Sequence, residues 1–76
     1  MEQNIVLGNR MKKLMEEKGM TYRSLAEKCG LSERRIYRIA NGGVANPSVF
    51  VMMRICKGLE VGLDEFFGTE EFKEIM

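Results

Sequence analysis

A chain of 76 residues with a formal net charge of +1 has room for one small hydrophobic core, which excludes a two-domain enzyme. Hydrophobic residues make up 45% and charged residues 30%, the balance of a folding chain, and the lack of any His removes the side chain most used for proton transfer and transition-metal binding near neutral pH. Cys29 and Cys56 stand 27 positions apart without a CxxC pair or a secretory signal, so neither zinc spacing nor a disulfide framework is met.

Leu7, Met11, Leu14 and Met15 recur at i, i+4, i+7 and i+8, which predicts a first helix over residues 4–18, ended by Gly19. Thr21 is a good N-cap for a second helix over 21–29, with Leu25, Ala26 and Cys29 inward and Gly30 closing it in the left-handed conformation. After a buried Leu31, Ser32 caps a third helix over 32–41, in which Ile36 and Ile39 point inward and Asn41-Gly42-Gly43 is the stop. Pro47-Ser48 opens a fourth, with Val49, Met52, Ile55, Cys56 and Leu59 at inward spacing. Gly58 costs that helix about 1 kcal/mol relative to Ala, so it is close-packed or near the end. Leu63-Asp64-Glu65-Phe66-Phe67 reads as a fifth helix with acids in its first turn, where the helix dipole favours them. Phe72, Ile75 and Met76, spaced i, i+3, i+4, allow a short sixth. No segment alternates with period two, so the fold class is all-α: a compact five-helix unit over 1–67 and an acidic, apolar tail over 68–76.

The net charge hides a division. Residues 1–57 hold eleven Lys/Arg against five acids, a balance of +6, and residues 58–76 hold Lys73 against six acids, a balance of −5. Such an asymmetry points to a body facing a polyanion and a tail kept away from it, although a solvated surface gives the same count. Two short helices joined by a tight Gly-containing turn, the second followed by Asn-Gly, have the spacing of a helix-turn-helix, which holds one helix proud of the body to enter a major groove about 12 Å wide.

The matching text is Leu7-Gly8-x-Arg10-Met11, Leu14-x-Glu16-Glu17-Lys18-Gly19-Met20-Thr21, Leu25-Ala26-Glu27-Lys28-x-Gly30-Leu31-Ser32, Ile36-x-Arg38-Ile39-x-Asn41-Gly42, Asn46-Pro47-Ser48 and Leu59-x-Val61-x-Leu63-Asp64-Glu65-Phe66-Phe67. Over these 61 residues the chain resembles the helix-turn-helix family of phage Cro and CI repressors, the xenobiotic-response-element type with a lambda-repressor-like fold. The resemblance implies a prokaryotic or phage-type regulator, in first place a repressor, that binds double-stranded DNA with its third helix.

On that resemblance Glu33, Arg34, Arg35, Tyr37 and Arg38 face the bases. Arg grips guanine O6 and N7, Glu accepts from cytosine N4, and each such pair supplies about 1–3 kcal/mol of discrimination. An acid at Glu33 is also favourable through the helix dipole alone. Tyr22, Arg23, Ser32 and Asn41 are the implied phosphate contacts, fixing register without reading sequence. Ser32 and Asn41 serve equally well as plain helix caps.

The departures carry information. Many relatives have Gln where Tyr22 stands, and a buried Arg/Glu pair at the positions of Met15 and Ala40. Replacing a whole buried pair by packed hydrophobes is often neutral or stabilising, whereas losing one partner is costly. Gly43-Val44-Ala45 lacks the usual basic charge, so binding leans more on dimerisation. Helix four is apolar nearly all round in Val49-Phe50-Val51-Met52-Met53, which points to a homodimer on an inverted-repeat operator. The candidate contacts are Phe50, Val51, Met53, Phe66, Phe67 and Phe72, extended by Ile75 and Met76; the alternative is a tilt that buries Phe50 in its own core. A second function class is an antitoxin or other protein-binding module that uses the same surface on a toxin or antirepressor. No cofactor, metal or membrane is expected, and the cysteines read as small buried hydrophobes in a reduced, cytoplasmic protein.

Overall fold

The helices form in the order α1 (Gln3–Glu17), α2 (Tyr22–Cys29), α3 (Glu33–Ala40), α4 (Val49–Leu59), α5 (Leu63–Phe67) and α6 (Glu70–Glu74), in a computed structural model that describes residues 3–75. Met76, expected on the last helix, lies outside the described residues. No strand forms among the described residues, and the expected short sixth helix is present.

Local chemistry sets the boundaries. Thr21 and Ser24 form a reciprocal capping box: Thr21 Oγ1 accepts from the Ser24 N–H at 3.1 Å and Ser24 Oγ from the Thr21 N–H at 2.9 Å. Gly30 adopts φ 71°, and its N–H and that of Leu31 both return to the Ala26 carbonyl, which turns the chain from α2 into α3 within three residues. Ser32 and Ser48 cap α3 and α4 by accepting from the N–H groups of Arg35 and Val51, each at 3.1 Å.

Met11, Leu25, Ile36, Ile55, Leu59 and Phe66 are fully buried, so α1 to α5 all feed one core. α2 packs on α3 and α4, α1 on α3 and α6, and α5 on α4. Gly58 sits where α4 crosses α2, against Cys29 Sγ and Leu25, and is also the penultimate residue of α4, so it is both close-packed and near the end.

Three expectations need correction. α4 is turned about its axis relative to the expected stripe: Val51 faces inward with Met52, Ile55, Cys56 and Leu59, whereas Val49 is 69% exposed. Leu31 is half-buried rather than buried. Residues 68–75 are not a free tail, because α6 packs on α1 and the Phe72 ring stands 6.0 Å from Phe66 and 5.0 Å from Phe67. Arg10 secures the same end from α1: its Nε donates to the Phe66 carbonyl at 3.1 Å and its Nη2 to that of Glu65 at 3.0 Å, satisfying carbonyls at the close of α5.

Candidate nucleic-acid interface

α3 is eight residues long and two-faced. Ile36, Ile39 and Ala40 are buried, and Glu33, Arg34, Arg35, Tyr37 and Arg38 are all exposed, so every residue expected to face the bases shares one solvent-facing surface. Among the described residues none of Arg34, Arg35 and Arg38 enters an ion pair. Their guanidinium groups are therefore left to a polyanion or to water. Glu33 stands in the first turn, at the positive end of the helix dipole.

The four residues expected at phosphates ring this surface with different attachments. Ser32 spends an Oγ lone pair on its capping bond and keeps its hydroxyl hydrogen. Asn41 directs its side-chain amide to the Tyr37 carbonyl at 2.8 Å and to the Tyr22 hydroxyl at 3.4 Å. Tyr22 is half-buried against the core, its ring edge-on to Tyr37 with centroids 5.4 Å apart. Arg23 pairs with Glu27 at 3.5 Å, both side chains more than two-thirds exposed, a contact weak enough to be exchanged for a phosphate.

Asn4 was not singled out from the sequence. Its amide donates to the Gly42 carbonyl at 2.6 Å, so α1 anchors the loop that follows α3. The contact spans 38 positions, and an isolated Asn in a helix start carries no local signal for it.

The expected dimer face divides. Phe50 is 77% and Met53 47% exposed, and Phe67 is half-buried. Val51, Phe66 and Phe72 are buried within the chain's own core and offer a partner little side-chain surface, a correction that follows from the turn of α4 and from the three-ring cluster of α5 and α6. Val49, expected inside, and Leu63 are also exposed, and both line an apolar cleft of about 510 Å³ with Leu7, Pro47, Met52 and Phe67.

Both cysteines are buried free thiols. Burial raises Cys29, and burial together with the nearby Cys29 pushes Cys56 from 9.0 up to about 11, which keeps both neutral and poorly reactive. Among the described residues no group of three or more His, Cys, Asp or Glu side chains is placed to hold a metal ion, and no helix is long and apolar enough to cross a membrane.

A family model described as helix-turn-helix matches residues 11–66, within the 7–67 span that carries the resemblance. Two point mutants of the restriction-modification controller protein C.Esp1396I superpose on the chain. One is 35% identical, with a TM-score of 0.84 over 99% of this chain and 95% of that one. The other is 34% identical, with a TM-score of 0.82 over 96% and 95%. The restriction-modification controller protein C.AhdI from Aeromonas hydrophila, 23% identical, shares the fold with a TM-score of 0.80 over 84% of this chain and 96% of that one. No curated protein sequence matches the chain. With the family model covering most of the chain and the two-faced α3 at its centre, the chain belongs to the helix-turn-helix family, among the DNA-binding transcriptional regulators of Cro/CI type.

Proposed function

We propose that the chain is a sequence-specific repressor that binds an inverted-repeat operator as a homodimer, places α3 in the major groove, and controls genes of a restriction-modification system. The observation that carries the reading is the solvent-facing surface of α3, with three arginines free of ion pairs among the described residues. Glu33, Arg34, Arg35, Tyr37 and Arg38 read base edges, while Tyr22, Arg23, Ser32 and Asn41 hold phosphates. Residues 1–67 form the DNA-binding unit and α6 braces it. The restriction-modification assignment rests on the name of the C.Esp1396I relative. A regulator rather than an enzyme is what the family supports.

Phe50 and Met53, with Val49 beside them, are the proposed dimer contact, since an exposed apolar stripe on a helix is most simply covered by a second copy about a twofold axis. The recognition helices of such a dimer stand about one DNA turn, roughly 34 Å, apart. Selection of bound sites from random duplex DNA, combined with light scattering, tests the reading. The expected result is a dimer and a symmetric G/C-containing consensus; a monomer at high concentration with a single half-site footprint overturns it.

A further inference from the structure

We propose that Tyr22 is a positioning residue for sequence reading, holding Tyr37 and Asn41 of the recognition helix in place before DNA arrives. The inference rests on the functional reading above and deepens it.

Tyr22 is the first residue of α2 and lies inside the capping box that Thr21 and Ser24 form, so its backbone is fixed. Its side chain is half-buried against the core. Tyr37 is the opposite case, an aromatic side chain 54% exposed in the middle of the reading surface. An exposed side chain of that kind samples several rotamers, and freezing it on DNA costs entropy. Among the described residues the aromatic partner of Tyr37 is Tyr22, met edge-on at 5.4 Å with an interplanar angle of 76°.

The Asn41 amide closes the unit by donating to the Tyr37 carbonyl at 2.8 Å and to the Tyr22 hydroxyl at 3.4 Å. The first residue of α2 thus touches both a base-facing residue and the cap of α3. Accepting from Asn41 takes one lone pair of the hydroxyl and leaves its hydrogen, so a phosphate contact by Tyr22 is compatible with this role. What distinguishes the two roles is specificity. A phosphate contact strengthens binding to every duplex alike, whereas a residue that pre-orders Tyr37 strengthens binding only where Tyr37 finds its proper base edge.

The experiment compares Tyr22→Leu, Tyr22→Phe, Tyr37→Ala and the Tyr22→Leu/Tyr37→Ala double variant. Affinity is measured for the site selected from random DNA and for a random duplex of equal length. Both Tyr22 variants lose the hydroxyl's phosphate contact and weaken random-duplex binding alike; Tyr22→Leu, which loses the ring contact as well, is expected to bind the operator about fivefold more weakly than Tyr22→Phe. Tyr22→Phe retains base preference, because the ring contact survives and the lost hydroxyl bond is long. Tyr22→Leu has no further effect once Tyr37 is Ala. In the free protein, NMR couplings show one Tyr37 χ1 rotamer in wild type and Tyr22→Phe, and averaging in Tyr22→Leu.

Tyr22→Leu and Tyr22→Phe that bind the operator equally well, or independent effects of the two tyrosines, overturn the proposal. So does a wild-type Tyr37 that already averages over rotamers, a measurement that needs no variant and decides the matter even if Tyr22→Leu does not fold. A wild type that selects no sequence overturns the functional reading and the inference with it. The DNA-free rotamer measurement tells that failure apart from a failure of Tyr22 to position Tyr37.

Discussion

Gly8 of α1 lies against the main chain at the end of α3: a Cβ on Gly8 would collide with the Ala40 carbonyl oxygen and lie 2.9 Å from the Ala40 carbonyl carbon. The obstacle is backbone, which cannot swing aside as a side-chain tip can. Gly8→Ala is therefore expected to push α1 off the recognition helix and to destabilise the fold by about 2–3 kcal/mol, the scale of core overpacking. Urea denaturation checks it; an unchanged midpoint contradicts the contact.

Gly58 meets Cys29 in a softer way. Its added Cβ would lie 2.7 Å from Cys29 Sγ and 3.1 Å from Leu25 Cδ1, both side-chain atoms. Gly58→Ala gains about 1 kcal/mol of helix propensity and loses more to crowding. Cys29→Ala removes the atom in the way. The double variant should then be less destabilised than the two single changes added together, with a coupling of about 1 kcal/mol in a double-mutant cycle.

Alkaline pH should expose the Cys56 environment. Its thiol is pushed up to about 11 in the folded chain from an ordinary 9.0, by burial first and by Cys29 second. Between those values the unfolded chain has lost a proton that the folded chain retains. This contribution to stability is complete below pH 9 and is lost as pH rises through about 11. Melting temperatures taken from pH 7 upward should fall less steeply in Cys56→Ala than in wild type.

Arg34 and Arg23 should fail differently. Arg34→Ala relaxes base preference, whereas Arg23→Ala weakens all duplexes alike and reduces the salt slope by about 0.9. Because Arg23 forms only an exposed pair with Glu27, neither change should shift thermal stability by more than about 0.5 kcal/mol. A library of sites on which both variants lose equally contradicts the division of roles.

Phe50 and Phe66 should separate assembly from folding. Phe50 is 77% exposed and Phe66 fully buried. Phe50→Lys is expected to yield a folded monomer in sedimentation, and Phe66→Ala to cost about 3–5 kcal/mol of stability. A Phe50→Lys protein that stays dimeric moves the interface elsewhere.

The helices were legible because their signals are local: Thr21, Ser32 and Ser48 cap where they stand, and Gly30 turns where it stands. The recognition surface followed from the same periodicity, with Ile36 and Ile39 defining which side of α3 is left for solvent. The run Val49-Phe50-Val51-Met52-Met53 was harder, since hydrophobic residues on every side of a helix do not announce which of them face in. The answer depends on how α4 is rotated against α2, and there Gly58 and Cys29 admit a close crossing that leaves Phe50 outside. Phe66 and Phe72 read as partner surface because nothing in their spacing shows that α6 folds back on α1 and closes a ring cluster with α5. The link from Asn41 to Tyr22 crosses 19 positions, and the pairing of a cap with a ring on another helix leaves no trace in spacing.

α1 reaches both halves of the chain, through Asn4 to Gly42 and through Arg10 to Glu65 and Phe66, contacts that span 38 to 56 positions. The consequence lies in folding kinetics. Completing the surroundings of the α2–α3 hairpin requires the chain to close these long loops, whose entropy must be spent before the contacts reward it. Melting is then all-or-none, and backbone amides in the recognition helix should exchange with solvent only through global opening. α3, short enough to fray in isolation, borrows its lifetime from the whole chain.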